Sequence, residues 1–93
     1  MKTEIKIVVK RKGHHEIYDE KKVYASVYTA ALNCHYREKK SEMLAKKILA
    51  KINSWIRKRK RVASDEIREQ VIYFLKHEDK DAALMYEHHL DIC

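Results

Sequence analysis

The chain has 93 residues, 45% of them apolar and 38% charged, with one glycine, no proline and a formal net charge of +7. That suits a single small domain, residues 1–93, with one modest core under a heavily charged surface. No long uncharged apolar run is present, which excludes a transmembrane helix, and the acid in Met1-Lys2-Thr3-Glu4 ahead of a strand-like pattern argues against a signal peptide, so a cytoplasmic protein is expected.

The charge is unevenly spread. Residues 37–61 hold eleven Lys/Arg against two Asp/Glu, while residues 62–93 hold three against eight. A middle this basic calls for an anionic partner or for pairing with the acidic last third. Cys34 and Cys93 are too far apart in the chain to suggest a disulfide framework or a metal motif, and two free thiols are expected.

In chain order, Ile5, Ile7 and Val9 alternate with Lys6, Val8 and Lys10, the period of a half-buried strand over 4–10. A turn at Lys12-Gly13-His14 uses the chain's only glycine, and Glu16-Ile17-Tyr18 forms a short return strand. Asp19 caps the first helix, whose stripe is Val23, Val27, Ala30 or Ala31, and Cys34, ending near residues 33–36. Ser41 is expected to cap the second, with Leu44, Ile48, Ile52, Trp55 and Ile56 as its apolar stripe and Met43 and Leu49 beside it. Lys46, Lys47 and Lys51 take its other face. Val62-Ala63 is an extended link, and Ser64-Asp65-Glu66 opens a third helix with a hydroxyl cap and two acids. Ile67, Val71, Phe74 and Leu75 are its buried face. After a polar break at residues 77–80, Asp79 or Asp81 caps a last helix carrying Ala82, Ala83, Tyr86, His89 and Leu90. The expected fold class is α+β, mostly α: an N-terminal β-hairpin covering a four-helix bundle with short antiparallel connections.

Lys10 and Arg11 stand where a strand runs out into a turn, and cations there can contact several phosphate oxygens, Arg as a fork and Lys as a point charge. The alternative is a strand edge protected by solvated charge. Beyond those two residues, Val8, Lys10, Arg11, Gly13, Glu16, Asp19 and Lys22 together resemble the opening of the ATP-cone domain. That module sits at the N-terminus of many ribonucleotide reductases and inside the transcriptional repressor of their genes. Its opening is a strand ending in Lys-Arg-Asp/Asn-Gly, then a Glu, an Asp or Asn, and a Lys-Ile pair. Here the run is Val9-Lys10-Arg11-Lys12-Gly13, Glu16, Asp19 and Lys22-Val23. Ser64-Asp65-Glu66-Ile67 is similar to the family's Thr-Ser/Asp-Glu-Ile, and Ala82-Ala83-Leu84-Met85-Tyr86 to its Val-Ala-x-x-Tyr. The likeness covers residues 4–90, in the family's order.

The resemblance implies an adenine-nucleotide effector, ATP or dATP with or without Mg²⁺. Lys10 and Arg11 would take the phosphates, Glu16 and Asp19 would face the base or ribose, and Lys22 would support them. Ser64, Ile67 against the purine, and Arg68 toward the phosphates would complete the pocket. The chain departs from the family at Lys12, in place of an acid or Asn, and at His89-Leu90, in place of a Tyr-Arg pair that supplies a further phosphate contact. A stand-alone regulatory module is implied, acting on ribonucleotide reductase or another regulated protein, or through homo-oligomer formation.

The run Arg57-Lys58-Arg59-Lys60-Arg61, with Lys39, Lys40, Lys46, Lys47 and Lys51 nearby in sequence, is either a solvated helix end or a surface for DNA or RNA phosphates. His14-His15, His35, His77 and His88-His89 lack the spacing of a metal site, and no metal is expected. No catalytic set or phosphate-cradling Gly-rich loop is present, so no enzyme activity is expected. The residues fit an adenine-nucleotide-binding regulator, a small basic nucleic-acid-binding regulator, or a degenerate cone used for protein contacts alone.

Overall fold

The structure, a computed structural model, describes residues 8–92, and of Val8, Arg11 and residues 89–92 it describes the backbone alone. Ile5, Ile7 and Cys93 lie outside the described residues. β1 (Val8–Arg11) and β2 (His14–Ile17) form an antiparallel hairpin in the register Val8↔Ile17 to Arg11↔His14. The two turn residues, Lys12 and Gly13, both have positive φ, 29° and 84°. Two-residue turns of that hand match the twist of the strands they join, and the second position is where glycine relieves strain.

Asp19 accepts the Lys21 N–H on Oδ1 at 3.0 Å and opens α1 (Glu20–Asn33), as its sequence position suggests. Val23, Val27, Ala30 and Ala31 are buried along α1, with Tyr24 and Tyr28 stacked beside them. The helix stops at Cys34, and His35 follows with φ 65°.

α2 (Glu38–Ile56) begins earlier than expected. Arg37, in extended conformation, is its N-cap residue, and the Ser41 N–H already donates to the Arg37 carbonyl at 2.9 Å. Ser41 therefore caps nothing: it sits one turn inside the helix, fully buried, with no hydrogen-bond partner for its hydroxyl among the described residues. The buried stripe runs Ser41, Ala45, Ile48, Ile52, Ile56, with Leu44, Leu49 and Trp55 half-buried at its edges. Met43 is exposed.

The expected extended link is a strand. β3 (Arg61–Ala63) pairs parallel with β1, Val9 opposite Val62 and Lys10 opposite Ala63, giving a three-stranded sheet in the order β2-β1-β3. The hairpin is thus extended by one strand, which holds the start of α3 (Ser64–Glu78) against the sheet. Ala63, still extended, occupies the N-cap position that Ser64 was expected to fill, and its N–H donates to the Glu66 carboxylate at 2.9 Å. Ser64 has helical backbone and does not cap.

α3 and α4 (Lys80–Ile92) are separated by Asp79 alone. His77 and Glu78, expected in a break, complete α3. Asp79 ends one helix and caps the next, accepting the Ala82 N–H at 3.1 Å. α1 packs on α2 and α4, and α3 packs on the same two helices, so the four close a ring around one core. Ile48, Ile52, Ile56, Leu75 and Val27 are fully buried there, each contributing about 1.5–3 kcal/mol relative to exposure. The class is α+β, mostly α, as expected. No helix among the described residues is long and apolar enough to cross a membrane.

Candidate functional site

The sheet leaves a cleft of about 900 Å³ between its hairpin, the first turns of α1, the start of α3 and one residue of α4. The sequence pattern explains each wall. β1 turns its buried Val9 inward and carries Lys10 beside it at the rim, and Lys12 and Gly13 continue that rim through the turn. Glu16 comes from β2. Asp19, Lys22, Val23 and Ser26 come from α1, spaced so that one helical face meets the cleft. Pairing of Ala63 with Lys10 brings Ser64, Ile67 and Arg68 into the opposite wall.

Seven of the nine residues expected in the pocket therefore line one cleft: Lys10, Glu16, Asp19, Lys22, Ser64, Ile67 and Arg68. For the other two, Val8 and Arg11, the backbone positions are on β1, and their side chains lie outside the described set. Val9, one residue on from Val8, lines the cleft. Sequence reasoning missed Tyr86 and Ser26, which reach the cleft from two different helices, and Lys12 and His14 at the turn. Lys12 stood out only as a departure from a family pattern, and no local pattern brings α4 to α1.

The electrostatics are organised around Glu16. Lys22 Nζ lies 3.5 Å from its Oε1, and His14 Nε2 lies 4.0 Å from its Oε2. Asp19 has one oxygen engaged in capping, so its carboxylate is fixed in place by the helix it starts. Lys10 and Lys12 are exposed at the rim and Arg68 is half-buried on the α3 side. Tyr18 closes the inner end: buried, it donates to Asn53 Oδ1 at 2.7 Å. Burial, aided by the charges of Glu20 and Asp19, pushes its phenol well above the ordinary range, so it stays protonated as a donor. Burial likewise raises the Tyr86 phenol, against the opposing influence of its neighbours Ser26 and Arg68. The result is a mouth of ammonium groups, two fixed carboxylates and an apolar inner wall of Val9, Val23 and Ile67. Such a set accommodates a ligand with an anionic tail, hydrogen-bond donors and a flat apolar body.

The basic run does not form one surface with the cleft. Arg57 follows the last turn of α2, residues 57–60 form a turn, and Arg61 opens β3. Among the described residues no group of three or more His, Cys, Asp or Glu side chains is placed to hold a metal ion.

A helical ring bearing a small sheet, with a cation-rimmed cleft between them, defines a small ligand-binding module. The chain belongs to the ATP-cone domain family, whose model, the ATP cone domain, matches residues 6–88. ATP-cone domains are regulatory, non-catalytic modules that bind ATP or dATP as effectors. No curated protein gives a match to this chain.

Proposed function

We propose that the cleft binds ATP or dATP as an effector, and that the bound state is read by a partner protein or by a second copy of this chain. The observation that carries this is the convergence of Lys10, Lys12 and Arg68 with the carboxylates of Glu16 and Asp19 around the apolar Ile67 wall. The ammonium and guanidinium groups neutralise a triphosphate, with Arg11 joining Lys10 from the same strand end. Glu16 or Asp19 accepts from the exocyclic amine or a ribose hydroxyl, and Ile67 packs on the purine. Lys22 holds Glu16 in position, and Ser64 adds a hydroxyl to the α3 wall. Mg²⁺ accompanies the triphosphate as its counter-ion rather than through a protein cage, since Mg²⁺ is commonly bound through phosphates.

Calorimetric titration with ATP and with dATP, each with and without Mg²⁺, tests the reading. Saturable heat is expected for at least one of them, and its loss in the Lys10→Ala/Arg11→Ala double variant. Absence of heat with both nucleotides would leave the cone as a protein-contact module. Light scattering over a concentration series, with and without nucleotide, reads the self-association arm. A constant mass in every condition would assign the response to a partner protein.

A further inference from the structure

The turn between α2 and β3 carries a second anionic preference, at a place the cleft does not use. Residues 57–61 are all cationic and all exposed, and none of them lines the cleft. Several cations of the basic stretch are engaged elsewhere in the structure. Lys47 and Lys51 are committed to Glu78, at 3.4 and 3.0 Å, and Lys40 lies over the Tyr36 ring at 3.8 Å. Arg59 lies over the Trp55 ring at 4.6 Å and reaches Glu66 at 3.9 Å. Arg57, Lys58, Lys60 and Arg61, by contrast, make no ion pair and no side-chain hydrogen bond among the described residues. Four cations without an ion pair among the described residues thus stand within five consecutive positions.

The turn that presents them is braced. The Arg59 N–H donates to the Ile56 carbonyl at 2.9 Å, and Ile56 and Val62 on either side are buried, at 0% and 2% exposure. Bracing matters because a preordered surface loses less entropy when it binds. The direction of β3 also separates the two sites. Arg61 pairs with Val8 at one end of the strand, and Ala63 pairs with Lys10 at the end that meets the cleft.

We infer that Arg57, Lys58, Lys60 and Arg61 form a docking surface for the phosphate backbone of nucleic acid, distinct from the nucleotide cleft. Duplex DNA carries about one negative charge per 1.7 Å of axis, so a turn of this size meets several phosphates at once. The turn exposes no apolar side chain, which disfavours a membrane surface, where binding combines anionic attraction with inserted apolar groups. The contact is to backbone and is independent of sequence, because long cations on a turn position a protein without reading base edges.

Fluorescence anisotropy with a labelled mixed-sequence duplex of about 20 base pairs tests this, over about 50 to 200 mM salt. Four phosphate contacts give a slope of log affinity against log salt of about −3.6. The variant Arg57→Gln/Lys58→Gln/Lys60→Gln/Arg61→Gln is expected to lose at least tenfold in affinity at the lower salt and most of that slope. A charge-matched control, Lys21→Gln/Arg37→Gln/Lys76→Gln/Lys80→Gln, removes four exposed cations elsewhere and is expected to bind close to wild type. If the quadruple variant does not melt like wild type, Lys58→Gln/Lys60→Gln serves instead and lowers the slope by about 2. Equal weakening by the control would overturn the proposal, since binding would then follow net charge alone. So would the absence of wild-type binding at about 10⁻⁴ M, or binding to phosphatidylserine vesicles without binding to the duplex. Nucleotide titration of the same samples keeps this result separate from the reading of the cleft.

Discussion

Tyr36 donates its phenolic hydrogen to Asp79, whose two carboxylate oxygens lie 3.0 and 2.8 Å away, and so ties the α1–α2 connection to the α3–α4 junction. Asp79 simultaneously caps α4. One carboxylate therefore fixes the meeting point of the two helical pairs. The hydrogen bond to Asp79, then burial, then the charge of Asp79 push the Tyr36 phenol up from 10.0 to about 12.

That raised value fixes a sign. Tyr36 contributes stability that is fully present below the phenol's ordinary value and is lost as pH rises through about 12. Tyr36→Phe should cost about 1 kcal/mol at neutral pH, the scale of a hydrogen bond to a partly solvated carboxylate. Urea unfolding of wild type and variant across the alkaline range should show the gap closing. A gap that persists above the raised value would assign the effect to ring packing.

Glu78 behaves in the opposite sense. Hydrogen bonding to Lys51, and secondarily to Lys47, lowers its carboxyl below 4.5 against a smaller opposing effect of burial. Its contribution is present above the ordinary carboxyl value and lost as pH falls through the lowered one. Glu78→Gln should cost about 0.5 kcal/mol at neutral pH, because both lysines are well solvated. The difference should vanish in acid and shrink in high salt. A difference that survives both conditions would mean that the ion pairs are not its source.

Ser41 is a place where the sequence works against the fold. Its hydroxyl is buried inside α2 with no hydrogen-bond partner among the described residues. Removing a polar group of this kind recovers desolvation cost, and alanine is also the better helix former. Ser41→Ala should raise stability by about 1 kcal/mol, read as a rise of about 4–8 °C in the thermal midpoint. A fall in the midpoint would show that the hydroxyl has a partner in solution.

Gly13 is required by conformation, not by space. A Cβ there would meet nothing within 4 Å, yet φ is +84°. Gly13→Ala should cost about 1–2 kcal/mol through backbone strain, and Gly13→Asn less, since Asn tolerates this region. Equal costs for the two would place the effect in the cleft rim rather than in the backbone.

These sites mark what the sequence made legible. The cores of the helix stripes, the Asp19 cap, the choice of Asp79 or Asp81 as the last cap and the glycine turn rest on signals within a few residues of each other. Asp19, Asp79 and the turn are observed, while Leu44, Trp55, Ile67 and Phe74 are only half-buried and the side chains of His89 and Leu90 lie outside the described residues. Seven expected pocket residues line one cleft because strand end, return strand and two helix starts each announce themselves locally. Ser41 misled because a hydroxyl followed by an acid carries the signature of a start whether or not a turn of helix precedes it. β3 was invisible for another reason. Three residues cannot display an alternation, and parallel pairing with a distant strand leaves no local trace. Tyr86 and Ser26 reach the cleft only through the packing of α4 on α1.

The parallel pairing of Val9 with Val62 has a kinetic consequence. The helices α1 and α2 lie between the two strands in the chain, so this pairing closes the longest loop in the sheet. Loop closure of that kind opposes folding before the contact returns any stability, whereas hairpins and adjacent helices form from near neighbours. The β1–β3 ladder, like the packing of α1 on α4, is therefore expected among the later contacts to form. Since that ladder brings Ile67 and Arg68 to face Lys10, the cleft is completed late in folding. Any ligand that fills it binds the finished molecule in preference to its precursors and draws the folding equilibrium toward completion.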